Sequence, residues 1–314
     1  MPVHPQVAAI LESMGGGVSI MDLGLDTLRL FTAAGVAATA EAPEVSRVEN
    51  RTVPTSDDDI AVRLYWPSDP FTVPGASAPP LLVWFHGGGF VIGNLDSADP
   101  TARDLCQRSG AVVASVEYPL APESPFPAAP EACWSVTSWL ADHAADLGAD
   151  PARVAVGGDS AGANLATVTA LLARDRGGPH LVFQLLVYPG VDFHGSFPSK
   201  VDNGSGYLLT TEMREWFHQQ YFGGVEPDDG DARATPLHAN LERLPPALVV
   251  TAEFDPLRDE GEAYAERLQL AGVDARAVRY AGMIHGFFGY TKLVEPAREA
   301  MAAATAALRT AFSS

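Results

Sequence analysis

The feature that most restricts this chain is a rhythm. From residue 81 onward, short continuous apolar runs alternate with longer segments of helical character. The runs lie at 81–85, 111–116, 153–156, 182–187, 247–251 and 275–280, and the helical segments at 101–109, 127–143, 161–173, 256–271 and 296–312. A strand covered on both faces reads as a continuous apolar run, so these are strands inside a layered α/β structure. Two earlier runs, 45–53 and 60–65, lean toward alternation and are separated by a few residues, which predicts an antiparallel edge ribbon. Strand–helix order implies right-handed crossovers and a mostly parallel eight-stranded sheet flanked by helices. A closed eight-stranded barrel is the rival, and the opening ribbon argues against it.

Two segments stand outside the rhythm. Residues 1–43 carry two apolar helical stretches, one with Val7, Ile10, Leu11 and Met14, another with Leu25, Leu28 and Phe31. Residues 193–240 interrupt the sheet and hold a helix whose Met213, Trp216, Phe217 and Tyr221 share one apolar face. Connections this long are usually functional, so the two segments are expected to form a helical cap on a single domain spanning 1–314, with packing that serves no function as the alternative.

Charge narrows the partners. Twenty basic against thirty-nine acidic residues give −19, which repels nucleic acid and an anionic membrane face alike. No apolar run reaches membrane-spanning length and no basic leader precedes one, so a cytoplasmic protein is expected. Cys106 and Cys133 belong to no CxxC pair, and HExxH is absent. Two reduced thiols and no bound metal are therefore the expectation.

The chemistry begins at Gly158-Asp159-Ser160-Ala161-Gly162, between the run at 153–156 and a good helix. A sharp strand-to-helix turn strains its central residue and leaves no room for side chains two positions away, hence glycines flanking an exposed serine hydroxyl. His86-Gly87-Gly88-Gly89-Phe90 follows the run at 81–85 directly, and three successive glycines bare backbone N–H groups suited to a developing oxyanion. A serine needs a base. Of eight histidines, His285 lies after the final strand and before the last helix, where it can reach back over the carboxyl edge; His86 is expected to anchor the glycine loop instead. The orienting carboxylate is assigned to Asp255, just past the run at 247–251, where it also suits a helix cap before Pro256. Asp192 is the runner-up, Asp159 is expected to point away across the turn, and Asp259 to face solvent. The order Ser160, Asp255, His285 is that of an α/β-hydrolase fold.

At these residues the sequence resembles the hormone-sensitive-lipase-like branch of the α/β-hydrolases, the bacterial family IV esterases. HGGGF, Glu117-Tyr118-Pro119-Leu120-Ala121-Pro122-Glu123, GDSAG and the segments around Asp255 and His285 occur in order along nearly the whole chain. Pro119 departs from the arginine usual in that run, and Ala163 from a glycine that often follows the elbow. The resemblance implies Ser160 as nucleophile, His285 as base, Asp255 as orienting acid, and the N–H groups of Gly88, Gly89 and Ala161 as an oxyanion hole. It implies a serine carboxylesterase acting on short- to medium-chain acyl esters without a cofactor, with Trp216, Phe217, Phe287 and Phe288 as candidates for the acyl slot. Amidases such as arylformamidases, lactonases and thioesterases share the triad, and a small-molecule-binding relative without chemistry is the rival of another class. A homodimer through a sheet edge is also implied.

Overall fold

The computed structural model of the 314-residue chain describes residues 2–14, 24–30, 39–55, 59–73, 78–225, 227–228 and 230–314. Among the described residues the first helical stretches are α1 (Pro5–Met14) and, at 25–30, part of a helix called α2. Phe31 lies outside the described residues. The order then runs β1 (Arg47–Pro54), β2 (Asp59–Trp66), β3 (Leu81–Phe85), α3 (Leu95–Ser109), β4 (Val112–Val116), α4 (Ala128–Asp142), β5 (Val154–Asp159), α5 (Ala161–Arg176) and β6 (Phe183–Val187). The insertion contributes α6 (Pro198–Asp202) and α7 (Thr211–Phe222), and β7 (Ala247–Phe254), α8 (Arg258–Leu270), β8 (Ala275–Ile284) and α9 (Glu295–Phe312) complete the chain.

The eight strands form one sheet in the order β1-β2-β4-β3-β5-β6-β7-β8. β1–β2 and β2–β4 pair antiparallel, and every later pairing is parallel. Side-chain alternation sorts the core into two layers. Leu81, Val83 and Phe85 of β3 pack with Val136 of α4, Leu165 of α5 and Tyr264 of α8. Leu82 and Trp84 face the other way, toward Leu105 of α3 and Met301 and Leu308 of α9. Each strand covered on both faces is buried from end to end, as β3, β4 and β6 are, which is why their sequences carry no alternation.

α3 begins at Leu95, not after Pro100 as the proline suggests. Asn94 and Ser97 form a reciprocal capping box that nucleates it six residues earlier, and Pro100 sits inside the helix. The chain leaves β3 for β4 on one side and returns to β5 on the other. That reversal opens a crevice beyond the carboxyl ends of β3 and β5, the place where open α/β sheets bind ligands.

Candidate active site

Three strand ends bring the proposed triad together. β5 ends at Asp159, and Ser160 takes φ 54° and ψ −118° before α5 begins. Such a backbone costs about 1–3 kcal/mol and persists only where its surroundings hold it. The Ser160 N–H donates to the Val187 carbonyl at 2.8 Å, and its carbonyl accepts from the N–H groups of Ala163 and Asn164 in α5. The flanking glycines leave no alternative: a Cβ at Gly158 would stand 2.3 Å from the Gly162 backbone, and one at Gly162 would stand 2.0 Å from the Phe85 carbonyl oxygen.

His285, in the turn after β8, brings Nε2 to 2.9 Å from Ser160 Oγ and Nδ1 to 2.8 Å from Asp255 Oδ2. Asp255 follows β7 and is fully buried. Its other oxygen accepts the Leu257 N–H at 2.8 Å, so the carboxylate closes the turn into α8 while it holds the imidazole. The capping and orienting readings of Asp255 are one geometry. Tyr188, in a left-handed backbone at φ 38°, lays its ring 4.6 Å from that of His285.

The glycine loop lies opposite. The carbonyl of Gly88 accepts from Val91 and Ile92, folding the loop back. Among the described residues no protein acceptor takes the N–H groups of Gly88, Gly89 or Ala161, and all three residues line one cavity with Ser160 and His285. His86 anchors the loop, as expected. Its Nδ1 lies 2.8 Å from the Gly87 carbonyl, and Tyr118 stacks on its ring and donates its hydroxyl to the His86 carbonyl at 2.7 Å. Burial holds the imidazole neutral, with its pKa pushed down to about 4 against the pull of the Gly87 carbonyl.

The rival carboxylates have other work. Asp192 accepts from the N–H groups of His194 and Gly195 and lies 3.0 Å from His238 Nε2. Asp159 does not point away from the site: it crosses to the glycine loop and accepts the Gly87 N–H at 3.0 Å. Burial pushes its carboxyl up to about 6, against that hydrogen bond and the nearby His285. Asp259 does not face solvent either. It is half-buried, and its carboxylate accepts the Ser199 N–H at the start of α6 at 2.8 Å.

The cavity measures about 850 Å³, within the range of small-molecule sites. Phe193, Leu209, Met213, Phe217 and His218 from the insertion line it, as do Ile10 and Leu28 from the amino-terminal segment. Of the four aromatic side chains read as an acyl slot, Phe217 and Phe288 line the cavity. Trp216 does not; it packs behind Phe217, with ring centroids 5.2 Å apart. Phe287 is fully buried beneath the site against Tyr188 and Tyr280, because the turn after His285 sends successive side chains to opposite sides.

Sequence reasoning missed two tethers. Lys200, one of only two lysines, is half-buried, forms an ion pair with the buried Glu260 of α8 at 2.8 Å and donates to the carbonyls of Asp192 and Gly195. The rarity of lysine was the available signal. Arg29 of α2 donates to the carbonyls of Val91 and Ala121 and makes a two-pronged contact with Glu123. It ties the amino-terminal segment to the loop that continues from the glycines. Among the described residues no group of three or more His, Cys, Asp or Glu side chains is arranged to hold a metal ion, and no helix is long and apolar enough to cross a membrane.

Comparisons with known proteins place the chain in a family. A family model described as an alpha/beta hydrolase fold matches residues 82–289. Carboxylesterase NlhH of Mycobacterium tuberculosis is 41% identical over 310 residues, covering 93% of this chain and 95% of that protein. An ethyl acetate hydrolase of Pseudomonas putida is 35% identical, covering 98% and 99%. The solved structure of a hyperthermophilic esterase from Pyrobaculum calidifontis superposes over the full length of both chains, with a TM-score of 0.90 at 41% identity. The chain belongs to the α/β-hydrolase family, in its hormone-sensitive-lipase-like branch of carboxylic ester hydrolases.

Proposed function

We propose that Ser160, His285 and Asp255 hydrolyse carboxylic esters through an acyl-enzyme. His285 Nε2 accepts the Ser160 hydroxyl proton as Oγ attacks the ester carbonyl, and the Asp255 carboxylate holds the Nδ1–H and steadies the imidazolium. The carbonyl oxygen, now an oxyanion, accepts from the N–H groups of Gly88, Gly89 and Ala161. The tetrahedral intermediate collapses, the C–O bond to the alcohol breaks, and His285 returns its proton to the departing alkoxide. Water then attacks the acyl-enzyme with His285 again as base, releasing the acid and restoring Ser160.

One observation carries the reading: Ser160 Oγ and Asp255 Oδ2 lie within hydrogen-bond distance of opposite nitrogens of the same imidazole. The chemistry asks for these side chains, the backbone donors and water, so no cofactor enters it. The relatives are named for ester hydrolysis, which favours esters over amides, lactones and thioesters on the same triad. Residues 1–43 and 193–240 serve as the cap of a single domain, because described residues of both segments line the cavity. An apolar wall that includes Phe217 and Phe288 suits short- to medium-chain acyl groups. The protein acts in the cytoplasm, as a homodimer through an edge of the sheet. Sedimentation of one monomeric species at micromolar concentration would refute the dimer.

The decisive experiment compares burst release of nitrophenol from 4-nitrophenyl butyrate by the wild-type protein and by Ser160→Ala. The wild type shows a burst stoichiometric with enzyme, and the variant shows none. Equal rates in both proteins would remove the reading.

A further inference from the structure

Asp159 takes no part in the reaction as written, yet it stands between its two halves. β3 and β5 pair in parallel with Phe85 opposite Gly158, so the glycine loop and the serine turn leave the sheet side by side. Across that gap the Gly87 N–H donates to Asp159 Oδ1 at 3.0 Å. A Cβ at position 87 would stand 2.4 Å from Asp159 Oδ2 and 3.0 Å from the Asp159 carbonyl oxygen. With Asp159 in this place, no side chain fits at the first of the three glycines.

Sequence adjacency gives the contact its reach. Gly87 immediately precedes the donors at Gly88 and Gly89, and Asp159 immediately precedes Ser160. Gly87 is held at both ends, its N–H by Asp159 and its carbonyl, which shares a peptide with the Gly88 N–H, by His86. Three successive glycines have no side chains to hold them and lose much conformational freedom on ordering, so these grips, together with the bonds from Val91 and Ile92 to the Gly88 carbonyl, set where the N–H groups point.

We propose that Asp159 is a positioning residue of the oxyanion hole: its carboxylate fixes the Gly87 peptide so that the Gly88 and Gly89 N–H groups and Ser160 Oγ converge on one carbonyl. The inference rests on the reading of Ser160 as nucleophile. It requires the hydrogen-bond acceptor and not the negative charge.

The test uses Asp159→Ala and Asp159→Asn in the full-length protein, with 4-nitrophenyl butyrate as substrate. The alanine variant loses roughly ten- to a hundredfold in kcat, somewhat less than the loss of an oxyanion donor itself, while KM stays within about twofold. Asparagine keeps an oxygen for Gly87 and retains kcat within about fivefold. A trifluoromethyl ketone, whose serine adduct bears an oxyanion, weakens as an inhibitor of the alanine variant in parallel with kcat. Its methyl ketone counterpart, which binds as the ground state, does not weaken. Asp159→Ser, polar but too short to reach Gly87, replaces the alanine variant should that protein not fold. Wild-type kcat in the folded alanine or serine variant, or an equal loss in asparagine, overturns the proposal. Ser160→Ala in the same assays keeps the two questions apart, since activity there would defeat the esterase reading whatever Asp159 does.

Discussion

Asp255→Asn gives the sharpest test of the orienting carboxylate, because the structure dictates which way the new amide must lie. Asp255 Oδ1 accepts the Leu257 N–H, and Oδ2 faces His285 Nδ1, both at 2.8 Å. Both neighbours donate to a carboxylate, and an amide has one oxygen. The backbone N–H of Leu257 cannot change its role, and turning the amide NH2 toward it would leave two buried donors facing each other, at about 1–3 kcal/mol. The oxygen therefore goes to Leu257 and the NH2 to His285. Nδ1 must then accept, which moves the imidazole proton to Nε2, 2.9 Å from Ser160 Oγ. A nitrogen bearing a proton cannot take another from serine. The expected loss in kcat/KM is on the order of 10⁴, about 5 kcal/mol of barrier, as for the same change in other serine triads. Asp192 cannot substitute, since His238 and two backbone N–H groups already occupy it. The substitution preserves volume, so the melting temperature stays within a few degrees. Initial rates on 4-nitrophenyl acetate at pH 7.5, beside calorimetric melting, measure both quantities. A folded variant within tenfold of wild type would refute the tautomer argument.

Three further perturbations follow from the site. Gly162→Ala places a Cβ 2.0 Å from the Phe85 carbonyl and should lower stability by about 3 kcal/mol, whereas Gly289→Ala meets nothing within 4 Å; equal melting temperatures for the pair would contradict the close packing of the elbow. Phe217 lies over Gly89, where a Cβ would stand 2.3 Å from its ring, so Phe217→Ala should raise the decanoate-to-butyrate ratio of kcat/KM on the order of tenfold, and an unchanged chain-length profile would remove the residue from the acyl wall. Below about pH 6.5, His86 (folded pKa about 4, usual value 6.5) takes up its proton mainly in the unfolded chain, so its contribution to stability is lost as pH falls. Asp159 (folded about 6, usual value 3.8) takes up its proton first in the folded chain, which stabilises over nearly the same interval. The two nearly cancel, and Asp159→Asn should expose the His86 effect as an extra fall of several degrees in melting temperature between pH 6.5 and pH 4; identical pH profiles would deny the cancellation.

What could be read from sequence was what backbone geometry demands locally. Ser160 declared itself because a strand-to-helix turn needs Gly158 and Gly162, and the two layers of the sheet announced themselves through unbroken apolar runs. Boundaries were less legible. β5 continues through Gly157 and Gly158 to Asp159, and β7 to Phe254, because ladder hydrogen bonds extend past the apolar stretch. Pro100 masked the true start of α3, although Asn94 and Ser97 carried the signal. The directions of Asp159 and Asp259 depend on which strands and helices lie beside them, and no pattern within one segment encodes that. The same holds for Phe287 and Phe288, adjacent in sequence and separated by the twist of a single turn.

The proposed triad stands at the ends of the sheet, and part of the cavity wall around it comes from two lengths of chain outside the sheet, tied down by Lys200 and Arg29. Machinery and vestibule can therefore drift independently. A mutant library confined to the face of α7 would sample new preferences without touching proton transfer, and so a single ancestral mechanism can be handed on to descendants with very different diets.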